Sequence, residues 1–301
     1  MKYTVIMPVK SDDLHLVEMN YKRVMKYVDA EKIIVITNTA NLEQVTGLGP
    51  EVSFIDENSM YEGLSFSATK EEMIKGGLDP KLTGHCFQQL LKMAYCYVNQ
   101  DDGYLVWDAD TIPARHVPFY NEETSKYIFY MKSEYVKTYF DHLKKLLQID
   151  KQIEKSFISE HMYFRNDVMR EINELIQANN EVPGEKWWQK VVRAMNCGNG
   201  MSEYEIYGNY VLSKYPDMYE LRDALSLRFG RNVLGSNPTE EQIEWMSEEY
   251  EAISIENFDK ETFLTGLSKT NFVKKMNPKK YAAVISFINR GINKVRRSLH
   301  K

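Results

Sequence analysis

The chain has 301 residues, 43% hydrophobic and 12% aromatic, enough for one large domain or a domain with an appendage. No apolar run approaches the roughly 20 residues of a transmembrane helix, and the opening "MKYTVIMPVK" is too short, and lacks the cleavage site, for a signal peptide. The three cysteines (Cys86, Cys96 and Cys197) have no metal-like spacing, which predicts free thiols and a cytoplasmic address.

In chain order, "YTVIMPV" is a buried strand ended by Pro8, and "LHLVEMNYKRVMKYV" carries apolar residues at helical spacing. "KIIVIT" and "VSFID" are two further strands, "HCFQQLLKMAYCYV" a helix and "GYLVWDAD" a fourth strand. Strands apolar throughout and alternating with helices predict a mostly parallel, doubly wound α/β sheet over about the first 130 residues. Further on, "YIFYM" reads as a strand, and "VKTYFDHLKKLLQI", "RNDVMREINELIQANN" and "EYEIYGNYVLSKY" as helices, the last despite Gly208. "PTEEQIEWMSEEY" opens with helix-start residues, and "AISIENF" is a late strand.

The motif that stands out is Asp108–Ala109–Asp110 in "YLVWDADTIPAR". Ligands of open parallel sheets sit beyond the carboxyl ends of the strands, and two adjacent carboxylates repel each other unless a divalent cation relieves them. A turn-capping role is the bland alternative. Haloacid-dehalogenase-type phosphatases use the letters "DADT" with a nucleophilic first Asp. They carry them on the first strand, however, with an acidic pair downstream, and here three strands come first and the Asp-Asp pairs lie upstream.

Four stretches together resemble nucleotide-sugar glycosyltransferases of the GT-A type, in a bacterial branch serving capsule and O-antigen assembly. They are "VIMPVKSDD", "GHCFQQLLKM", "YLVWDADTIPAR" and "SEYEIYGNYV", in that order over residues 1 to about 212. The resemblance implies a GT-A (Rossmann-like) sheet, a helical acceptor-side region, and a nucleotide-sugar donor, UDP-linked, held with Mn²⁺ or Mg²⁺. It implies Asp110 as direct metal ligand and Asp108 on the ribose or a metal-bound water, the roles being exchangeable. His161 would be a further metal ligand or else a structural histidine. Pro8, Lys10, Asp12 and Asn38 close strands one and two, where base and ribose contacts are expected, or simple turns. Gln88, Gln89 and Lys92 share one helical face that would reach ribose and phosphates, or else be solvated. Glu203 is the expected base of an inverting reaction, with Glu205 as substitute, against an ordinary first-turn acid. A retaining reaction would need neither. Trp187 and Trp188 would stack on an acceptor or fill core; Arg228 and Arg231 match no motif.

The charge is uneven. Of 38 basic residues, nine fall between Phe272 and Lys301 with no acid, leaving 29 basic against 43 acidic residues elsewhere, a net of −14. "KKYAAVISFINRGINKVRRSLHK" places Tyr281, Val284, Ile285, Ile288, Ile292 and Val295 on one helical face, the pattern of a helix lying on an anionic membrane or docked on the chain's own acidic surface. With only Tyr281 and Phe287 aromatic in the segment and no accompanying fold, nucleic acid is not expected. The expected organisation is a transferase domain over 1–270 (nucleotide half 1–130, acceptor half 131–270) and a membrane-associating helix over 271–301. Such an enzyme would act at the inner face of the plasma membrane on a lipid-linked or surface-polysaccharide acceptor. A nucleotidyltransferase is disfavoured because "PVKSDDLH" lacks glycine, and a binding subunit without turnover is the non-enzyme alternative.

Overall fold

The computed structural model describes residues 1–197, 200–257, 259–261, 263–270 and 272–299, the side chains of 263 and 290–299 excepted. The first third runs β1 (Tyr3–Pro8), α1 (Leu14–Tyr27), β2 (Ala30–Thr37), α2 (Leu42–Thr46), β3 (Val52–Asp56), α3 (Phe66–Lys75), α4 (Thr83–Ala94) and β4 (Gly103–Trp107). Then come β5 (Thr111–Pro113), β6 (Tyr120–Asn121), β7 (Lys126–Met131), α5 (Lys137–Leu147), β8 (His161–Arg165), α6 (Asn166–Ala178), α7 (Trp187–Ala194) and α8 (Glu203–Lys214). The rest comprises β9 (Tyr219–Asp223), β10 (Ser226–Leu227), α9 (Gly230–Leu234), α10 (Glu240–Met246), β11 (Ala252–Ser254) and α11 (Pro278–Leu299). The expected α/β class with a mostly parallel sheet is what forms. Among the described residues no helix is long and apolar enough to cross a membrane.

The chain forms two compact units. The first comprises Met1–Met19, Asp29–Ala109 and Pro118–Ala224; the second comprises Asn20–Val28, Asp110–Val117 and Leu225–Lys301. α11 belongs to the second unit with the stretch that precedes it.

In the first unit the main sheet has the order β3-β2-β1-β4-β8. β1 to β4 are parallel, and β8 closes the edge antiparallel to β4. Side chains alternate between the two faces. Ile6, Ile34, Ile36, Tyr104, Val106, Met162 and Phe164 share one core cluster with apolar residues of α4, α6, α7 and α8. That is why the strands read as continuous apolar runs. A small second sheet, β6-β7-β9, completes this unit. In the second unit β5 pairs antiparallel with β11, and β10 parallel with it. The Thr239–Gln242 capping box starts α10 there, as the helix-start residues lead one to expect.

α8 is continuous across Gly208, and glycine stands there because a neighbour needs the space. A Cβ there would lie 2.5 and 2.6 Å from ring carbons of Phe157, which is fully buried. Alanine would gain about 1 kcal/mol of helix propensity, but overpacking of this kind costs about 1–3 kcal/mol, so the clash decides. Gly208→Ala is expected to lower the urea midpoint, with a net loss of up to about 2 kcal/mol; an unchanged or raised midpoint would show that the ring gives way freely.

Candidate functional site

β1, β2 and β3 lie to one side of the sheet and β4 to the other, so the strand order reverses between β1 and β4. In open α/β sheets that switch point, at the carboxyl ends of the strands, is where ligands bind. Pro8 ends β1 and Asp108 follows β4, and α4 ties both ends together. Gln88 donates from Nε2 to the Pro8 carbonyl at 2.6 Å, and one turn on Lys92 donates to Asp108 Oδ1 at 2.6 Å.

Lys92 is only 4% exposed. It lies between two carboxylates, Asp108 and Glu203 of α8, the latter at 2.7 Å from Oε1, with the Tyr204 ring centroid 4.7 Å from its nitrogen. Burial alone would lower its pKa; the Asp108 and Glu203 charges more than reverse this and raise it above that of an ordinary lysine. Tyr204 donates to Asp108 Oδ1 at 3.2 Å, and burial, with the charges of Asp108, Glu203 and Glu160, raises its pKa well above the usual value. It therefore stays a neutral donor. The Gln89 amide satisfies its surroundings when its oxygen accepts from His85 at 2.6 Å and its nitrogen donates to Glu203 Oε2 at 3.2 Å and to the Met201 carbonyl at 3.0 Å. Glu203 thus has both oxygens engaged and is almost fully buried. Asp108 is half-buried; its Oδ1 takes both bonds, while Oδ2 accepts none among the described residues.

A second ion pair adjoins the first. The Asp108 N–H continues the β4–β8 ladder by donating to the Glu160 carbonyl at 3.0 Å. Glu160 has a left-handed backbone (φ 63°), is buried, and its carboxylate is paired with Lys132. Lys132 and Ser156 exchange backbone bonds of 2.9 and 2.8 Å, and the Ser156 hydroxyl donates to Glu205 at 2.6 Å. Glu205 also accepts from the Phe157 N–H and Asn209; burial raises its pKa against these donors. Lys132 and Glu160 carry no sequence motif. The alternation that puts Glu160 opposite Asp108 appears only once β8 is paired.

The other expected residues divide. Glu203 and Glu205 are both committed to buried intramolecular bonds, so neither is presented as a base. Lys92 and Gln89 face protein carboxylates and amides rather than solvent, and Gln88 reaches a carbonyl. Lys10 is exposed and pairs with Asp13 at 3.2 Å; Asp12 is exposed, its carbonyl 3.1 Å from His15 Nδ1; Asn38 caps a turn by accepting from the Ala40 N–H. His161 lies on the opposite sheet face from Asp108. Its ring stacks on Trp107 (centroids 4.9 Å, 13°) with Phe119 and Tyr130 edge-on, and burial lowers its pKa to about 3. Its Nδ1 has no hydrogen-bond partner among the described residues. Trp187 and Trp188 are core. Asp110 belongs to the second unit, where its carbonyl accepts from Ile255 at 2.7 Å. Arg228 pairs there with Glu256 at 3.4 Å, and Arg231 with Glu261 at 3.7 Å. Among the described residues no group of three or more His, Cys, Asp or Glu is arranged to hold a metal ion. A hard cation shared between one or two carboxylates and a substrate's phosphates needs no such cage, and the open oxygen of Asp108 is a donor of that kind.

Residues 1–273 match the model of a family described as a family of unknown function (DUF6492), and the chain belongs to that family. Among curated proteins none matches. Similar solved structures include the apo form of mouse xyloside xylosyltransferase 1, at 10% identity and a TM-score of 0.47, over 87% of this chain and 100% of that one. The apo WbbM bifunctional glycosyltransferase is similar at 13% identity and a TM-score of 0.42, over 84% of this chain and 45% of its own. Apo GlyE of Streptococcus pneumoniae TIGR4 shows 10% identity and a TM-score of 0.40, over 97% of this chain and 64% of its own. These likenesses are weak in identity and in TM-score, and neither substrate nor mechanism is taken from them.

Two outcomes are expected. Lys92→Met leaves two carboxylates facing each other without their cation, which costs about 3–5 kcal/mol in urea unfolding, partly recovered by adding Glu203→Gln. A Lys92→Met chain as stable as the wild type would remove this pair from its central place. His161 is neutral in the fold down to about pH 3, whereas the unfolded imidazole takes its proton near pH 6.5. Its contribution is therefore intact above pH 6.5 and shrinks as the pH falls towards 3. His161→Phe, which keeps the stack on Trp107, should lose about 2 kcal/mol less than the wild type between pH 7 and 5. Equal losses would mean the ring is protonated where it stands.

Proposed function

We propose that this chain is a nucleotide-sugar glycosyltransferase of the GT-A kind, with the nucleotide at the β1/β4 switch point and the diphosphate at Asp108. The observation that carries the reading is the presentation of Asp108. A carboxylate at the mouth of the fourth strand has one oxygen fixed by a buried lysine and a tyrosine and the other left open. The order of the four motif stretches along the sequence agrees with it.

The chain's own residues then do the following. Lys92 and Tyr204 orient the Asp108 carboxylate, so that it loses little freedom on meeting its ligand. Glu203 balances Lys92. With both carboxylates ionised the trio keeps a net charge of −1 and still attracts a cation rather than being neutralised by its own lysine. Gln88 holds the end of β1, from which the Lys10–Asp12 turn departs towards base and ribose. Asp108 and Asp110, two residues apart in the chain, would hold Mn²⁺ or Mg²⁺, which when bound neutralises charge on a departing nucleoside diphosphate. Glu203 and Glu205 are held in buried bonds and act as structural carboxylates that fix Lys92 and the Ser156 turn. The donor is proposed as UDP-linked, the acceptor as a surface-polysaccharide or lipid-linked glycan met at the inner face of the plasma membrane.

The test is a thermal-shift screen of nucleotide sugars with and without Mn²⁺, followed by donor hydrolysis. A bound donor raises the melting temperature by mass action. Asp108→Asn and Asp110→Asn should each cut Mn²⁺-dependent hydrolysis by about 100-fold or more, with His161→Phe near wild type. No shift with any nucleotide sugar, or hydrolysis indifferent to both aspartates, would end the proposal. Binding without turnover would favour the non-enzyme alternative.

A further inference from the structure

We propose that the outward face of α11, centred on Phe287, is a docking surface for an anionic lipid bilayer. Helical spacing alone groups Tyr281, Val284, Ile285 and Ile288 on one face, and the structure divides that group. Tyr281, Ala282, Ile285 and Asn289 are buried in the second unit. Tyr281 lies against Trp245 of α10 (ring centroids 5.2 Å), and Asn289 donates to the Asn232 carbonyl of α9 at 3.3 Å. Trp245 in turn donates to the Met276 carbonyl at 3.0 Å, just before the helix. So the helix has a docked side, and that side is occupied.

Phe287 is two residues past Ile285, roughly 200° around the helix, and points away from the docked side. It is 73% exposed, and Val284 is 50% exposed beside it. Ile288 is partly exposed next to them, and Lys279 and Lys280 are exposed one to two turns earlier. A helix serving only as a strut would present polar residues on that side. A large ring and a branched aliphatic set there in water need a reason. Charge selects the partner. The segment from 272 to 301 holds nine cations and no acid, while the rest of the chain carries a net −14. Apolar tips among cations are what a helix in the plane of a membrane uses, the rings entering the headgroup–acyl boundary while lysines meet anionic headgroups. The net-negative remainder of the chain would be repelled by the same lipids, so the segment is the attracting part. Phe272, 79% exposed in the same basic segment, adds a second apolar tip.

This proposal stands apart from the transferase reading and can fail without it. The full chain is sedimented with vesicles of phosphatidylcholine alone and with vesicles that also contain phosphatidylglycerol. Binding is expected to the anionic vesicles only, weakened by raised salt. Phe287→Glu and, separately, Lys279→Glu with Lys280→Glu should each lower partitioning by about tenfold or more. Ile74→Glu, an exposed apolar residue on α3 (56%), should leave it unchanged. Because Phe287 makes little internal contact, its variant should melt with the wild type, so lost binding is not lost folding. Equal binding to neutral vesicles, or no effect of Phe287→Glu, overturns the proposal. So does a chain that ignores vesicles but self-associates through Phe287, since the face then belongs to a second copy.

Discussion

A buried ammonium group fixes the candidate site. Removing a lysine from water costs several kcal/mol unless charges and hydrogen bonds replace the lost hydration, and Lys92 meets that demand with Asp108, Glu203 and Tyr204. These partners come from the end of β4 and the start of α8, 16 and more than 100 residues away in the chain. α4, β4 and α8 cannot shift independently without exposing an unpaired charge to the core. The same bonds give Asp108 a set orientation before any ligand arrives.

The sheet order makes the trio more than a structural clasp. Had the four parallel strands simply followed one another, α4 would have no crevice to overlook. With β1 between β2 and β4, the chain turns to opposite sides after two neighbouring strands, leaving an opening at their carboxyl ends. α4 places Gln88 on one strand end and Lys92 at the other because residues four apart share a helical face. A polar stripe on an otherwise apolar helix thus joins the two strands that frame the opening.

Much of this was legible in the sequence, for identifiable reasons. β1, β4 and most of β2 are covered on both faces, so their residues are apolar without alternation and stand out as short runs. Asp108 was legible because a carboxylate following such a run has no packing role. Lys92 was visible as polar on an apolar helix, but a lysine turned towards a ligand and one turned towards a distant carboxylate have the same local sequence. Nothing local to Glu203 announces its bond to Lys92 for the same reason: its partner lies on another helix. His161 carries the letters of a ligand, and only pairing with Trp107 in the β4–β8 register shows that it faces an aromatic cluster. In α11 Tyr281 and Ile285 are buried and Val284 and Ile288 exposed, while the side chains of Ile292 and Val295 lie outside the described residues; periodicity does not say which of two adjacent apolar strips is covered.

Glu160 shows what the fold holds in place at this site. A non-glycine residue in the left-handed region costs on the order of 1 kcal/mol or more and persists where its surroundings over-determine it. Here they do so twice: its carbonyl must meet the Asp108 N–H to extend the ladder past Trp107, and its carboxylate must meet Lys132. An extended backbone at 160 would release one or the other. The strain therefore lies in the residue that sets the height of Asp108 above the sheet, and Lys132 is held in turn by its backbone exchange with Ser156, which Glu205 anchors. Glu205 is buried at the far end of that chain of contacts, so a carboxylate that touches no ligand still helps decide where Asp108 stands.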